Sequence, residues 1–243
     1  LHNRTHSFPT RRSSDLVTFP GSNGNHDALQ SLLDDVGAPA EYVDYRVTDI
    51  AKYDAFVLPG GFSYGDALRC GAIARFAPIM APIADFVEKG GPVLGICNGF
   101  QVLTEAHLLP GVLLRNATLK FHCFWTHIKI EQLDNAWTAN CAPGEILRLP
   151  VAHGEGSFYA DDATLDQLEA NGQIVARYCE PDGSITEAAN ANGSARSIAA
   201  VSNRAGNVLG LMPHPERATN ELVGGADGLK IMSTALNFLN VAV

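Results

Sequence analysis

A cysteine stands where a short apolar run ends, in the segment GGPVLGICNGFQ at residues 90–101. The run predicts a buried strand, and the residues after Cys97 are typical of a tight turn into a helix. Glycines 95 and 99 permit the sharp backbone of a nucleophile elbow, which exposes one side chain. Because a helix N-terminus stabilises a thiolate, Cys97 is predicted to be a nucleophile. The alternative is a small, buried core cysteine.

A histidine and a glutamate follow another apolar run, in MPHPER at residues 212–217. The two prolines fix their own φ and hold the preceding residues in an extended backbone, so His214 and Glu216 project to the same side. A carboxylate in that position can orient an imidazole and select its tautomer. With Cys97 the pair predicts a catalytic triad, whereas alone it is compatible with an ordinary surface turn.

Two glycine-rich segments are candidates for binding. LPGGFSYGD, at residues 58–66, exposes backbone N–H groups that could form an oxyanion hole with the amide of Asn98. HGEG, at residues 153–156, is interpreted as a binding loop, with a second acid/base pair or a simple connecting loop as alternatives. His122, Cys123 and His127 do not complete the spacing of a catalytic zinc site, so no metal is expected.

Composition narrows the class of protein. The 243 residues contain 17 basic and 26 acidic side chains, a net charge of −9, without a dense Lys/Arg cluster, which argues against nucleic acid as a partner. The longest apolar runs are too short to cross a bilayer, and neither a leader nor a membrane span is expected. Five cysteines without CxxC spacing argue against a disulfide framework or a zinc ribbon. We expect a cytoplasmic enzyme.

Alternating strand and helix patterns predict the fold class. They indicate an α/β protein with a doubly wound, mostly parallel sheet, and the strand-rich stretch from residue 119 to about 160 predicts an antiparallel extension at one edge. Residues 1–15 lack either period and are predicted to form a loose or foreign tail before a single domain of residues 16–243. The predicted strands are 16–19, 41–45, 54–61, 92–97 and 208–211. The predicted helices are 26–37, 67–90 (interrupted near the prolines at 78 and 82) and 228–239.

GICNGFQ, LPGG and PHPE, on an alternating α/β frame, resemble the class I (triad) glutamine amidotransferases. The resemblance implies a flavodoxin-like amidotransferase fold and a cysteine hydrolase that releases ammonia from L-glutamine. By position, Cys97 would be the nucleophile, His214 the base and Glu216 its orienting acid.

The same resemblance implies a substrate site. The amides of Gly61 and Asn98 would form the oxyanion hole. Gln101 would contact the amino-acid end of glutamine, and the backbone at Gly154 and Glu155 would close over it.

Longer stretches, FSYGDALRCGAIARF and VAHGEGSFY, are similar to a branch of the family that serves purine biosynthesis, and the similarity runs from about residue 16 to the C-terminus. It implies a γ-glutamyl thioester and ammonia delivered through a tunnel to a large synthetase subunit, with a small accessory subunit in the complex. ATP and Mg²⁺ would bind the synthetase, and no cofactor would bind this chain. Alternatives are a glutaminase for another acceptor, such as those of the pyridoxal phosphate or GMP pathways, a DJ-1-like cysteine hydrolase or chaperone, and a silent regulatory subunit.

Overall fold

The computed structural model describes residues 14–238, and the strands and helices within that range alternate as an α/β chain. The strands are β1 (Ser14–Thr18), β2 (Ala40–Asp44), β3 (Ala55–Leu58), β4 (Val93–Ile96), β5 (Val112–Leu114), β6 (His122–Ile130), β7 (Ile146–His153), β8 (Ser157–Tyr159), β9 (Ile174–Cys179), β10 (Ile198–Ser202) and β11 (Val208–Leu211). The α-helices are α1 (Asn25–Gln30), α2 (Met80–Glu88), α3 (Asn98–Glu105), α4 (Asp162–Ala170) and α5 (Leu229–Met232).

Across residues 14–238, nine strands form one sheet in the order β2-β1-β3-β4-β11-β10-β9-β6-β7. The first five pair in parallel and the remaining four are antiparallel. This confirms the doubly wound α/β sheet with an antiparallel extension. The extension is wider than predicted, because β9 and β10 lie between the parallel strands and the predicted pair β6 and β7.

The first strand begins earlier than the predicted domain boundary. Ser14 and Asp15 are fully buried in β1, and Ser14 is paired with Ala40 on one side and Ala55 on the other. β1 therefore includes two polar residues, Ser14 and Asp15, that were predicted to lie in the tail. Residues 1–13 of the predicted tail lie outside the described residues.

The long predicted helix at 67–90 is mostly wrong. Its α-helical part is α2 alone, preceded by turns and a 3₁₀ turn at Ala74–Phe76, and Leu68 has a φ of 71° that no α-helix accommodates. Pro82 lies in the first turn of α2, where no intrahelical N–H is lost. The predicted helix 26–37 is α1 continued by a π-helical turn, Ser31–Val36. The predicted helix 228–239 is α5 followed by a 3₁₀ segment, Ser233–Asn237.

Three fully buried strands, β3, β4 and β11, form the middle of the sheet. Their continuous apolar sequences are those of parallel strands covered on both faces. The register pairs Leu58 with Gly95 and Ile96 with Leu211, so the three carboxyl ends meet at one edge. In an open α/β sheet this edge is where ligands bind. No helix among residues 14–238 has the length and apolar character needed to cross a membrane.

Candidate active site

Cys97 occupies a strained turn between β4 and α3. Its φ of 50° and ψ of −103° lie outside the regions that non-glycine residues favour, which costs about 1–3 kcal/mol and is typical of functional sites. The Cys97 N–H donates to Leu211 O at 2.8 Å, which fixes the elbow to the neighbouring strand. A Cβ at Gly99 would lie 1.9 Å from Leu58 O, so only glycine lets α3 approach β3 this closely. The nucleophile elbow predicted from the sequence is present.

His214 and Glu216 form a buried pair beside Cys97. Glu216 Oε1 lies 2.6 Å from His214 Nδ1 and accepts a hydrogen bond from its N–H, which leaves Nε2 as the other functional atom of the ring. A Cβ at Gly60 would lie 2.8 Å from His214 Cε1 and 3.7 Å from Cys97 Cβ, so the two side chains converge over this glycine. The structure therefore brings all three predicted triad residues together.

The electrostatics of the triad favour a charged imidazole. Burial opposes the charge on His214, but the neighbouring Glu216 and Cys97 outweigh burial and raise the pKa of His214 above its ordinary value. Sγ of Cys97 lies 3.8 Å from Ala152 O, and Nε2 of His214 makes no hydrogen bond to residues 14–238. Cys97 therefore stabilises the charged imidazole beside it.

The predicted oxyanion amides lie on two loops at the same edge. Asn23 N–H donates to Gly60 O at 3.4 Å and Phe62 N–H to Gly21 O at 3.0 Å, so the backbone on both sides of Gly61 is bonded to the 21–23 loop. In such a bridge the N–H of Gly61 itself points away from that loop, and its φ of 145° requires glycine. Asn98 is the first residue of α3, where an N–H has no intrahelical partner.

Side chains of Asn98 and Gln101 connect the loops around Cys97. Asn98 accepts a hydrogen bond from Ser63 N–H at 3.1 Å and donates to Gln101 Oε1 at 2.9 Å. The Gln101 amide in turn donates to the carbonyl of Glu155. Gln101 therefore holds the HGEG loop against α3, in addition to lining the cavity where the sequence predicts it to meet a substrate.

A cavity of about 180 Å³ opens at Cys97. Predicted site residues of the LPGG and HGEG segments line it. Asp66, Cys70 and Phe121 also line it, although they were not predicted as site residues. No run of sequence indicates that the left-handed turn at Asp66 (φ 53°) brings Asp66 and Cys70 to Cys97. The lining residues are Gly61, Phe62, Asp66, Cys70, Cys97, Gln101, Phe121, Ala152, His153, Gly154 and Glu155.

His153 of the HGEG loop is a neutral, structural histidine. Asn116 Oδ1 lies 3.1 Å from its Nδ1 and also accepts the Gly156 N–H at 3.0 Å. Burial, with smaller effects of His214 and His122, lowers the pKa of His153 to about 3. This favours the interpretation of HGEG as a binding loop over a second acid/base pair.

Comparisons with known proteins show the family of this chain. A model of the CobB/CobQ-like glutamine amidotransferase domain matches residues 15–225, and the chain therefore belongs to this family. It is 56% identical to phosphoribosylformylglycinamidine synthase subunit PurQ of Thermomicrobium roseum, over 91% of this chain and 94% of that protein. The same subunit of Moorella thermoacetica is 52% identical, over 92% and 94% of the two chains.

Solved structures show the same fold. A chain of PurLQS from Thermotoga maritima superposes with a TM-score of 0.81 at 41% identity, covering 94% of this chain and 99% of that chain. A GMP synthase subunit of Thermoplasma acidophilum has a TM-score of 0.57 at 12% identity, covering 93% and 96%, which is a similarity of fold alone. The predicted membership in the glutamine amidotransferases is confirmed.

Gly60→Ala is expected to lower kcat for glutamine hydrolysis by about tenfold or more with little loss of melting temperature. The new methyl group would lie 2.8 Å from His214 Cε1 and would displace the imidazole, and misplacement by about 1 Å can cost about 10²-fold in rate. Steady-state kinetics and thermal unfolding measure the two effects. Gly225→Ala is the control, because its Cβ would make ordinary contacts 3.5 Å from Trp125. Equal kinetics of the two variants would contradict the expectation.

Proposed function

We propose that this chain is the glutaminase subunit of a phosphoribosylformylglycinamidine synthase and hydrolyses L-glutamine at Cys97. The observation that carries the proposal is the elbow cysteine next to the buried His214–Glu216 pair. The particular enzyme is supported by relatives of that name, at 47–56% identity over most of the chain.

The first half of the reaction forms a thioester. The Cys97 thiolate attacks the side-chain carbonyl carbon of glutamine, and the N–H groups of Gly61 and Asn98 stabilise the tetrahedral oxyanion. As the C–N bond breaks, His214 gives its proton to the departing nitrogen, and ammonia leaves. The raised pKa of His214 keeps this proton available at neutral pH.

The second half releases glutamate. His214, now neutral, takes a proton from water as the water attacks the thioester carbonyl. The C–S bond breaks, the thiolate is restored and the imidazole is again protonated beside it. Glu216 holds the ring in one tautomer through both halves, because its carboxylate accepts a hydrogen bond from the Nδ1–H group.

The ammonia serves a partner. One solved relative is described as PurLQS, and we propose that the present chain likewise works in the cytoplasm with two partners, a large synthetase subunit and also a small accessory one. The synthetase would hold ATP and Mg²⁺ and use the ammonia to convert formylglycinamide ribonucleotide to its amidine. No group of three or more His, Cys, Asp or Glu side chains in residues 14–238 is placed to hold a metal ion.

Reconstitution tests the proposed function. The chain is mixed with the large and small subunits, ATP, Mg²⁺, formylglycinamide ribonucleotide and glutamine, and glutamate and amidine are measured together. One amidine per glutamate is expected. A parallel mixture with the synthetase subunit of GMP synthase and xanthosine monophosphate tests the other acceptor, and transfer of nitrogen only in that mixture would refute the proposed pathway.

Glu216→Gln is expected to move the alkaline limb of the kcat/KM profile to lower pH. The carboxylate raises the pKa of His214, so its removal lowers that pKa, and the protonated imidazole is lost at a lower pH. A neighbouring opposite charge typically shifts a pKa by about 1–3 pH units, so a movement of at least about one unit is expected. Glu187→Gln, in an exposed turn, is the control. A smaller kcat/KM with an unchanged alkaline limb would argue against this electrostatic role.

A further inference from the structure

Two carboxylates line the cavity of Cys97 without belonging to the triad. They are Asp66, in the turn after β3, and Glu155, in the HGEG loop. Asp66 Oδ1 is buried and makes no hydrogen bond to the rest of residues 14–238. Two carboxyl groups in so small a cavity disfavour each other's negative charge, and a positively charged occupant would relieve this.

The turn that carries Asp66 is held in an unusual conformation. Tyr64, Asp66 and Leu68 have φ values of 53°, 53° and 71°, a strained run that the chain maintains although glycine is absent from these positions. Asn98, the first residue of the helix that follows the nucleophile, accepts the Ser63 N–H at 3.1 Å and so ties the turn to the active site. The position of Asp66 is therefore coupled to that of Cys97.

Cys70 joins the two carboxylates. Burial raises the pKa of the Cys70 thiol, and hydrogen bonds to Glu155 and Asp66, together with the charges of both, raise it further. The thiol therefore keeps its proton. Burial and the charge of Glu155 raise the pKa of Asp66, and the thiol offsets this only in part. One thiol proton leaves most of the acceptor capacity of two carboxylates unused.

Among residues 14–238, the cations near this end of the cavity pair with glutamates and leave Asp66 without an ion pair. Arg115 lies 3.6 Å from Glu155, but its side chain is 75% exposed and approaches from the solvent. Arg69, in the same loop as Asp66, is paired with Glu105 instead. A metal ion does not fit, because residues 14–238 contain no cluster of ligands placed to hold one. An organic cation matches the site better.

L-Glutamine brings such a cation. Its amide must reach Cys97, and its α-ammonium group then lies at the other end of the same small molecule. We propose that Asp66, supported by Glu155, binds the α-ammonium group of glutamine and makes the site specific for an α-amino acid. This inference rests on the proposed glutaminase function and adds a recognition residue to it.

The role of Asp66 predicts a loss of discrimination in Asp66→Asn. The test compares L-glutamine with glutaramate, the same molecule without its amino group, in the complete complex with the synthetase. Unpairing a buried charge pair typically costs at least about 30-fold, so kcat/KM for glutamine should fall by that factor or more, mainly through KM. For glutaramate, which has no ammonium group, kcat/KM should change by less than about threefold.

Three further variants separate recognition from structure. Cys70→Ala should leave the preference for glutamine in place, whereas a merely structural Asp66 would act through Cys70 and give both variants the same phenotype. Asp66→Glu should restore part of the preference, because it restores the charge. Asp85→Asn, on α2 and outside the cavity, is the matched control.

The outcomes are distinguishable. If the wild-type complex hydrolyses glutamine and Asp66→Asn lowers kcat/KM for both compounds equally, or for neither, the assignment of Asp66 is wrong and the glutaminase function stands. If the wild-type complex releases no glutamate, the proposed function fails, and the assignment fails with it. A preference for glutamine that collapses in Asp66→Asn and survives in Cys70→Ala supports the recognition site.

Discussion

Cys97→Ser is expected to lower glutamine-dependent amidine synthesis by about 10³-fold or more and to leave ammonia-dependent synthesis within about twofold of wild type. Only the first reaction needs the thioester, and a serine hydroxyl is a far weaker nucleophile than a thiolate at neutral pH. The two rates are measured on the same reconstituted complex, with glutamine or with an ammonium salt as the nitrogen source. Equal loss of both would mean that the substitution damages assembly instead of chemistry.

Chemical labelling gives the same assignment without a substitution. A glutamine-like electrophile should modify Cys97 alone, since recognition in the cavity directs it there. Burial raises the pKa of Cys141 and of Cys179 to about 11, so both are poor nucleophiles at neutral pH. Cys123 is exposed and serves as the control, because a simple alkylating reagent should label it whereas the glutamine-like reagent should not. Adducts mainly at Cys70 or Cys123 would contradict the assignment.

The parts of the site that could be predicted are those fixed by local backbone chemistry. A buried parallel strand has an unbroken apolar sequence, and glycines two residues before and after Cys97 permit a sharp turn at its end. Prolines on either side of His214 fix its direction relative to Glu216 in the same local way. Parallel strands place their carboxyl ends at one edge, so the residues after β3, β4 and β11 meet once those strands are neighbours.

The parts that could not be predicted depend on distant partners. β9 and β10 are buried almost throughout and show no alternation, so their strand character comes from pairing with each other and with β6 and β11. The helical pattern after residue 67 is overridden by the left-handed backbone at Leu68 and by the packing of the loop on α3. Asp66 was not predicted as a substrate-binding residue for the same reason, since its place in the cavity comes from that loop.

His214→Ala is expected to reduce glutamine hydrolysis about as severely as Cys97→Ser, by about 10³-fold or more. The imidazole lies against Cys97, carries the proton needed by the departing ammonia, and later activates the water. Glu216→Ala should cost less, because it removes the group that orients the ring and leaves the proton carrier in place. Steady-state glutamate release in the complete complex measures all three.

The double variant Cys97→Ser/His214→Ala decides whether these residues act as a unit. If the imidazole works only through the thiolate and its thioester, removing it from a chain that already lacks the thiol should cost little more, and the double variant should be within about tenfold of either single variant. Members of one catalytic unit are strongly non-additive in this way. A double variant slower by the product of the two single effects would show that His214 acts independently of Cys97, for example on water alone. Because the buried Glu216–His214 hydrogen bond of 2.6 Å remains in Cys97→Ser and is lost in His214→Ala, comparing the melting temperatures separates loss of this pair from loss of chemistry.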